Sequence, residues 1–72
     1  GEIMDIAKKV KRLLLEKNVT ATQLAKKVGI TQPAISYKMT NNSYSIEDLE
    51  KIAKALDCEL EINFVLNNGE KI

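Results

Sequence analysis

Gln32, Ser36, Tyr37 and Thr40 lie on the faces of a short helical stretch that its apolar residues Ile35 and Met39 do not occupy. A helix with such a polar, exposed face can enter the major groove of a duplex. Other chemistries are poorly served. The chain has no His, so it cannot build a Ser-His-Asp or Cys-His site by itself. Its single cysteine, Cys58, allows neither an internal disulfide nor a cysteine-rich metal site. Its three glycines form no phosphate-binding loop. No catalytic residue, metal or cofactor is expected, and the chain is expected not to be an enzyme.

Seventy-two residues hold one domain. A chain of that size buries roughly 60% of its unfolded surface, a marginal core of the kind that often gains stability from a partner. The 44% apolar and 29% charged content is ordinary for a soluble globular domain. No apolar run approaches the roughly 18 residues that span a bilayer, and no secretory signal is read. An unpaired thiol fits a reducing cytoplasm. Gly1 is read either as native or as the scar of a cleaved tag, with the native start then near Met4. Residues 1–40 carry eight basic residues against three acids, a surplus of five positive charges. Residues 41–72 carry three against seven, a deficit of four. A basic half suits a polyanion, and a solvated lysine-rich helix face accounts for the same residues.

The hydrophobic spacing divides the chain into four helices and a tail. Ile3, Ile6, Ala7, Val10, Leu13 and Leu14 recur at three- and four-residue steps, predicting an amphipathic helix to about Lys17 with Asn18 as a left-handed stop. Leu15 widens the stripe beyond one face. Thr20 and Gln23 fit a capping box for a second helix bearing Leu24, Ala25 and Val28, with Gly29 turning the chain out of it. Thr31 caps a third helix with Pro33 in its first turn. Asn41, Asn42, Ser43 and Tyr44 read as a polar loop. Ser45 and Asp48 open a fourth helix on Ile46, Leu49, Ile52, Ala53 and Leu56. From Cys58 to Asn67 the period changes to alternation, predicting a half-buried strand, and Asn68-Gly69 signals a hairpin.

Ala25 is small where the second and third helices must approach, Gly29 permits the turn, and Ile30 and Ile35 bury the far side: a helix-turn-helix cadence. With the motifs Thr20-x-x-Gln23-Leu24-Ala25, Val28-Gly29-Ile30-Thr31-Gln32 and Ile35-Ser36, residues 6–57 resemble the helix-turn-helix domain of the phage-repressor, Cro-like or xenobiotic-response-element (XRE) family. The resemblance implies sequence-specific binding of double-stranded DNA, usually as a homodimer and usually for transcriptional control, often repression. The expected fold is mainly α: a compact four-helix lambda-repressor-like domain over residues 1–57, then a C-terminal β-strand or hairpin over 58–72. Three departures stand out. Leu14 and Met39 replace the family's frequent Arg–Glu ion pair. Asn41 stands where a Gly usually follows the recognition helix. A strand replaces the fifth helix.

The resemblance places the recognition helix at residues 32–40. It makes Gln32, Pro33, Ser36 and Tyr37 candidate base readers. The Gln32 amide can bond an adenine edge in two places, and Pro33 can meet a thymine methyl. Thr20, Gln23, Thr31, Lys38, Asn41, Asn42, Ser43 and Tyr44 are candidate phosphate contacts. Capping, helix stiffening, packing or plain solvation explains each of these residues in a chain that binds no DNA.

Leu60, Ile62, Phe64 and Leu66 give the tail one apolar face, and three trailing residues cannot pair a strand of this length. Two chains are therefore expected to pair through it about a twofold axis. An intrachain hairpin lying on the core is the alternative. Two other functions stay open: an antitoxin whose acidic end binds a toxin, and a protein-binding module that kept the fold without DNA binding.

Overall fold

The computed structural model describes residues 5–72; the readings made for Gly1, Ile3 and Met4 fall outside them. Four helices follow in order, α1 (Ile6–Lys17), α2 (Ala21–Val28), α3 (Gln32–Asn41) and α4 (Ile46–Ala55). Each starts at a side chain that satisfies an otherwise orphaned first-turn amide. The Asp5 carboxylate accepts from Lys8 N at 3.0 Å, and the Thr31 hydroxyl accepts from Ala34 N at 3.3 Å. Thr20 with Gln23, and Ser45 with Asp48, form complete capping boxes. The ends are equally local in origin. Asn18 and Gly29 adopt left-handed conformations at φ 55° and 78°, as their residue types favour. Asp57, also left-handed, ends the α4 segment, and the next amide, Cys58 N, donates back to Ala53 O at 2.9 Å.

The left-handed residue after α3 is Asn42, at φ 51°. Asn41, expected in that role, is the last helical residue, and its Nδ2 donates to Tyr37 O at 2.9 Å. The choice between two adjacent asparagines is made far along the chain. The Asn42 Oδ1 accepts from Ala7 N, in the first turn of α1, at 2.7 Å. Only the residue that leaves the helix can present its amide there.

The core lies between all four helices. Val10 and Leu14 of α1, Leu24 and Ala25 of α2, Ile35 of α3, Ile52 of α4 and the following Leu56 form one buried cluster. Leu24 and Ile35 are completely enclosed. Burying a side chain of this size contributes roughly 1.5–3 kcal/mol. Leu14 is buried, and Met39 packs against the same cluster, so apolar contact replaces the ion pair common in the family. Leu15 remains 82% exposed, beyond the face that packs.

The predicted strand over residues 58–67 does not form: no strand occurs among the described residues. Ile62 and Phe64 are 53% and 75% exposed; Leu60 and Leu66 keep 38% and 40%, and Cys58 and Leu60 line a cleft with residues of α1 and α4. The tail makes a short turn at its tip. Gly69 is left-handed at φ 89°, Gly69 N donates to Leu66 O, and Leu66 N donates to Glu70 O at 2.7 Å. One antiparallel bridge joins Val65 to Lys71. The physical reason is the shortage already visible in the sequence. A ladder needs a partner of matching length, and the residues after Gly69 reach back only to Phe64, leaving 59–63 without one. The radius of gyration is 13.4 Å and the long axis 42 Å, against about 11 Å expected for a compact chain of this length. Beyond Leu60 the tail is an arm, not a layer on the core.

Candidate nucleic-acid interface

The α2–α3 unit owes its shape to three small decisions. Ala25 is buried where the two helices meet. Gly29 reverses the chain, and no atom lies within 4 Å of where its Cβ would be, so backbone conformation alone favours glycine there. Thr31 then restarts the helix, with Pro33 in the first turn. Ile35, 1% exposed, anchors α3 from behind. On the opposite side Gln32, Pro33, Ser36 and Thr40 are exposed, and Tyr37 is 63% exposed. The four candidate base readers thus share one open face, unobstructed by the other described residues.

Beside this face lies the start of α2. The Thr20 hydroxyl accepts from Gln23 N at 3.1 Å, and the Gln23 Oε1 accepts from Thr20 N at 2.9 Å. Both side chains are exposed. A hydroxyl that accepts in a cap still has its own proton to donate, and a Gln amide used through its oxygen keeps two N–H donors. Thr31 stands in the same situation. Capping at Thr20, Gln23 and Thr31 is therefore compatible with holding a phosphate. Thr22 joins the two helices: its hydroxyl donates to the Oε1 of Gln32. Residues ten apart on different helices carry no joint signal in the sequence, and Thr22 was not among the candidates.

At the other end of α3 the expected phosphate contacts separate into two groups. Asn41, Asn42 and Ser43 are exposed, with the Asn41 amide donating to Tyr37 O and the Asn42 amide accepting from Ala7 N. Lys38 and Tyr44 are turned toward the protein itself. The Lys38 ammonium lies 2.8 Å from the Asp48 carboxylate, with each side chain 26% exposed. It lines a small cavity with Val28, Ile30, Ile35 and Ile52, toward α4. Tyr44 packs against the core, and its hydroxyl is buried without a hydrogen-bond partner. Burial, and secondarily the Asp48 charge, pushes its phenol above the usual range. The bond from Lys38, followed by that from the Ser45 amide, holds the Asp48 carboxyl below the usual range. Lys8 and Lys11, one turn apart on α1 and read from the sequence as part of a solvated face, line an open cleft with Asp5, Met39, Thr40 and Asn42. Their spacing by three is the only sequence signal of a shared face.

Among the described residues, no group of three or more His, Cys, Asp or Glu is placed to hold a metal ion. No helix among them is long and apolar enough to cross a membrane. What the site offers is a rigid helix with an open hydrogen-bonding face, flanked by helix-start amides on one side and two lysines on the other. The family model described as the Cro/C1-type HTH DNA-binding domain matches residues 9–61. No match was found among curated proteins or among solved structures.

Proposed function

Because the chain belongs to the Cro/C1-type helix-turn-helix DNA-binding domain family, we propose that it is a sequence-specific, repressor-like transcriptional regulator that inserts α3 into the major groove. The observation that carries this reading is the open face of Gln32, Pro33, Ser36 and Tyr37, backed by a fully enclosed Ile35. Gln32 reads an adenine edge, and Pro33, Ser36 and Tyr37 contact neighbouring base pairs. Thr20, Gln23, Thr31, Asn41 and Ser43 position the backbone, with Lys8 and Lys11 supplying charge. Lys38 and Tyr44 brace the helix from behind, and Asn42 ties its exit to α1. The protein acts in the cytoplasm and catalyses no reaction.

The working species in this reading is a homodimer joined through the arm. Leu60, Ile62, Phe64 and Leu66 are exposed, and residues 59–63 form no ladder within the chain. Pairing two arms about a twofold axis would use both features and set two recognition helices on half-sites about one helical turn apart. The same exposed, partly acidic arm favours one second reading: an antitoxin whose arm binds a different protein.

Selection of bound sequences from a random-centre duplex pool tests DNA recognition. A pseudo-palindrome with one turn between half-sites is expected. Affinity no better than for bulk random sequence at moderate salt refutes it. Sedimentation of the chain cut after Asp57 tests the arm: loss of the dimer is expected, and unchanged self-association rejects the interface. A full-length chain that stays monomeric in the presence of its duplex favours the antitoxin reading.

A further inference from the structure

We propose that Thr22 is a specificity-determining positioning residue, acting on DNA through the carboxamide of Gln32. The inference rests on the base-reading role given to Gln32 above and deepens it. The Thr22 hydroxyl donates to the Gln32 Oε1 across the α2–α3 unit. Thr22 is the second residue of α2 and Gln32 the first of α3. Both backbones are therefore fixed by helix starts that carry their own caps, at Thr20 and Thr31.

An exposed glutamine is a poor reader on its own. It has three side-chain torsions to freeze on contact with a base, and that lost freedom weakens the contact. A hydrogen bond within the protein removes part of that freedom before DNA arrives. The donor count determines what remains. A Gln amide has two acceptor lone pairs on Oε1 and two N–H donors. Thr22 occupies one lone pair and leaves one acceptor and two donors. The adenine major-groove edge asks for one acceptor, for N6–H, and one donor, for N7. The guanine edge presents two acceptors, O6 and N7, and has no use for the remaining lone pair. Both N–H donors would also suit guanine, so the tether acts by orientation and not by count. Held through its oxygen, the carboxamide cannot turn end for end, and its free lone pair and one N–H meet the base together, the adenine pattern. Released, it can rotate to present both N–H donors to guanine.

The test compares Thr22→Val, which keeps the shape and removes the hydroxyl, with Thr22→Ser, which keeps the hydroxyl. Each variant, and Gln32→Ala, is measured against the duplex selected by the wild-type chain and against versions changed at the base pair where Gln32→Ala loses preference. Thr22→Val is expected to lose roughly three- to tenfold of adenine-over-guanine discrimination at that pair, the size of one net hydrogen bond. Its affinity for random duplex, its salt dependence and its melting temperature should not move. Thr22→Ser should restore discrimination, and Thr22→Val added to Gln32→Ala should change nothing further. If Gln32→Ala relaxes a base pair while Thr22→Val keeps full discrimination there, the tether is wrong and the Gln32 assignment survives. If Thr22→Val weakens all duplexes equally, Thr22 grips the backbone itself and the proposal falls. If Gln32→Ala relaxes no base pair, the underlying assignment falls first and takes the proposal with it.

Discussion

Replacing Lys38 by Met is expected to weaken the fold while leaving the salt dependence of DNA binding unchanged. The ammonium sits 2.8 Å from Asp48 Oδ2. Two unit charges at that distance attract by about 1.5 kcal/mol in bulk water. Partial burial raises this figure, and ordering two long side chains lowers it. With each side chain about a quarter exposed, at 26%, a coupling of about 1 kcal/mol is reasonable. A domain of this size should then melt about 4–8 °C lower. Asp48 also caps Ser45 N at 2.9 Å, so the pair must be isolated with Asp48→Asn, which keeps an acceptor at the cap. A double-mutant cycle of Lys38→Met and Asp48→Asn, followed by urea unfolding, reads the coupling directly. On DNA, a lysine that neutralises a phosphate contributes about 0.9 to the slope of log affinity against log salt. Lys38→Met should leave that slope where it was. A slope reduced by about 0.9, together with coupling near zero, would refute the reasoning and return Lys38 to the DNA surface.

The remaining expectations are briefer. Lys8→Met and Lys11→Met, unlike the change at Lys38, should each lower the salt slope by up to about 0.9, and a slope equal to wild type in both would remove α1 from the interface. Asp48 has a folded carboxyl held below its ordinary value of 3.8, so its stabilisation is complete above that value and is lost as pH falls through the lower folded one. The stability gap between wild type and Asp48→Asn should therefore close in acid, and a gap that widens there contradicts the assignment. Leu24→Ala opens space at a completely enclosed site and should cost about 2–5 kcal/mol in denaturant unfolding. That is a large share of the roughly 4–11 kcal/mol available to a chain of this length. Gly29→Ala meets no steric contact but must hold φ 78°, a cost of about 1 kcal/mol; Gly29→Asn should cost less, and equal losses would point to something other than backbone conformation.

How much was legible depended on how far each decision reached along the chain. The capping boxes at Thr20 with Gln23 and at Ser45 with Asp48 are complete within four residues, and both formed as read. Pro33 and Gly29 fix backbone angles by their own chemistry, and the turn between α2 and α3 followed. Asn41 and Asn42 are the same residue type side by side, and it is Asn42 that accepts from the amide of Ala7, 35 positions away. The sequence pattern cannot contain that distinction. Lys38 looked like a surface cation because its partner Asp48 lies on the next helix. Tyr44 looked like a loop residue because the core it meets is assembled from elsewhere. The arm is the instructive failure. Alternating Leu60, Ile62, Phe64 and Leu66 records a tendency to extend, yet a strand also needs a neighbour, and alternation says nothing of where one is.

The link from Asn42 to Ala7 has a kinetic meaning. An amide in the opening turn of a helix ordinarily exchanges its proton with solvent whenever that turn frays. Ala7 N is held at 2.7 Å by a side chain on the far side of α3, and it is itself buried. Its release requires the exit of α3 to let go as well. Deuterium uptake at this one amide is therefore expected to report the joint opening of the α1 start and the α3 exit.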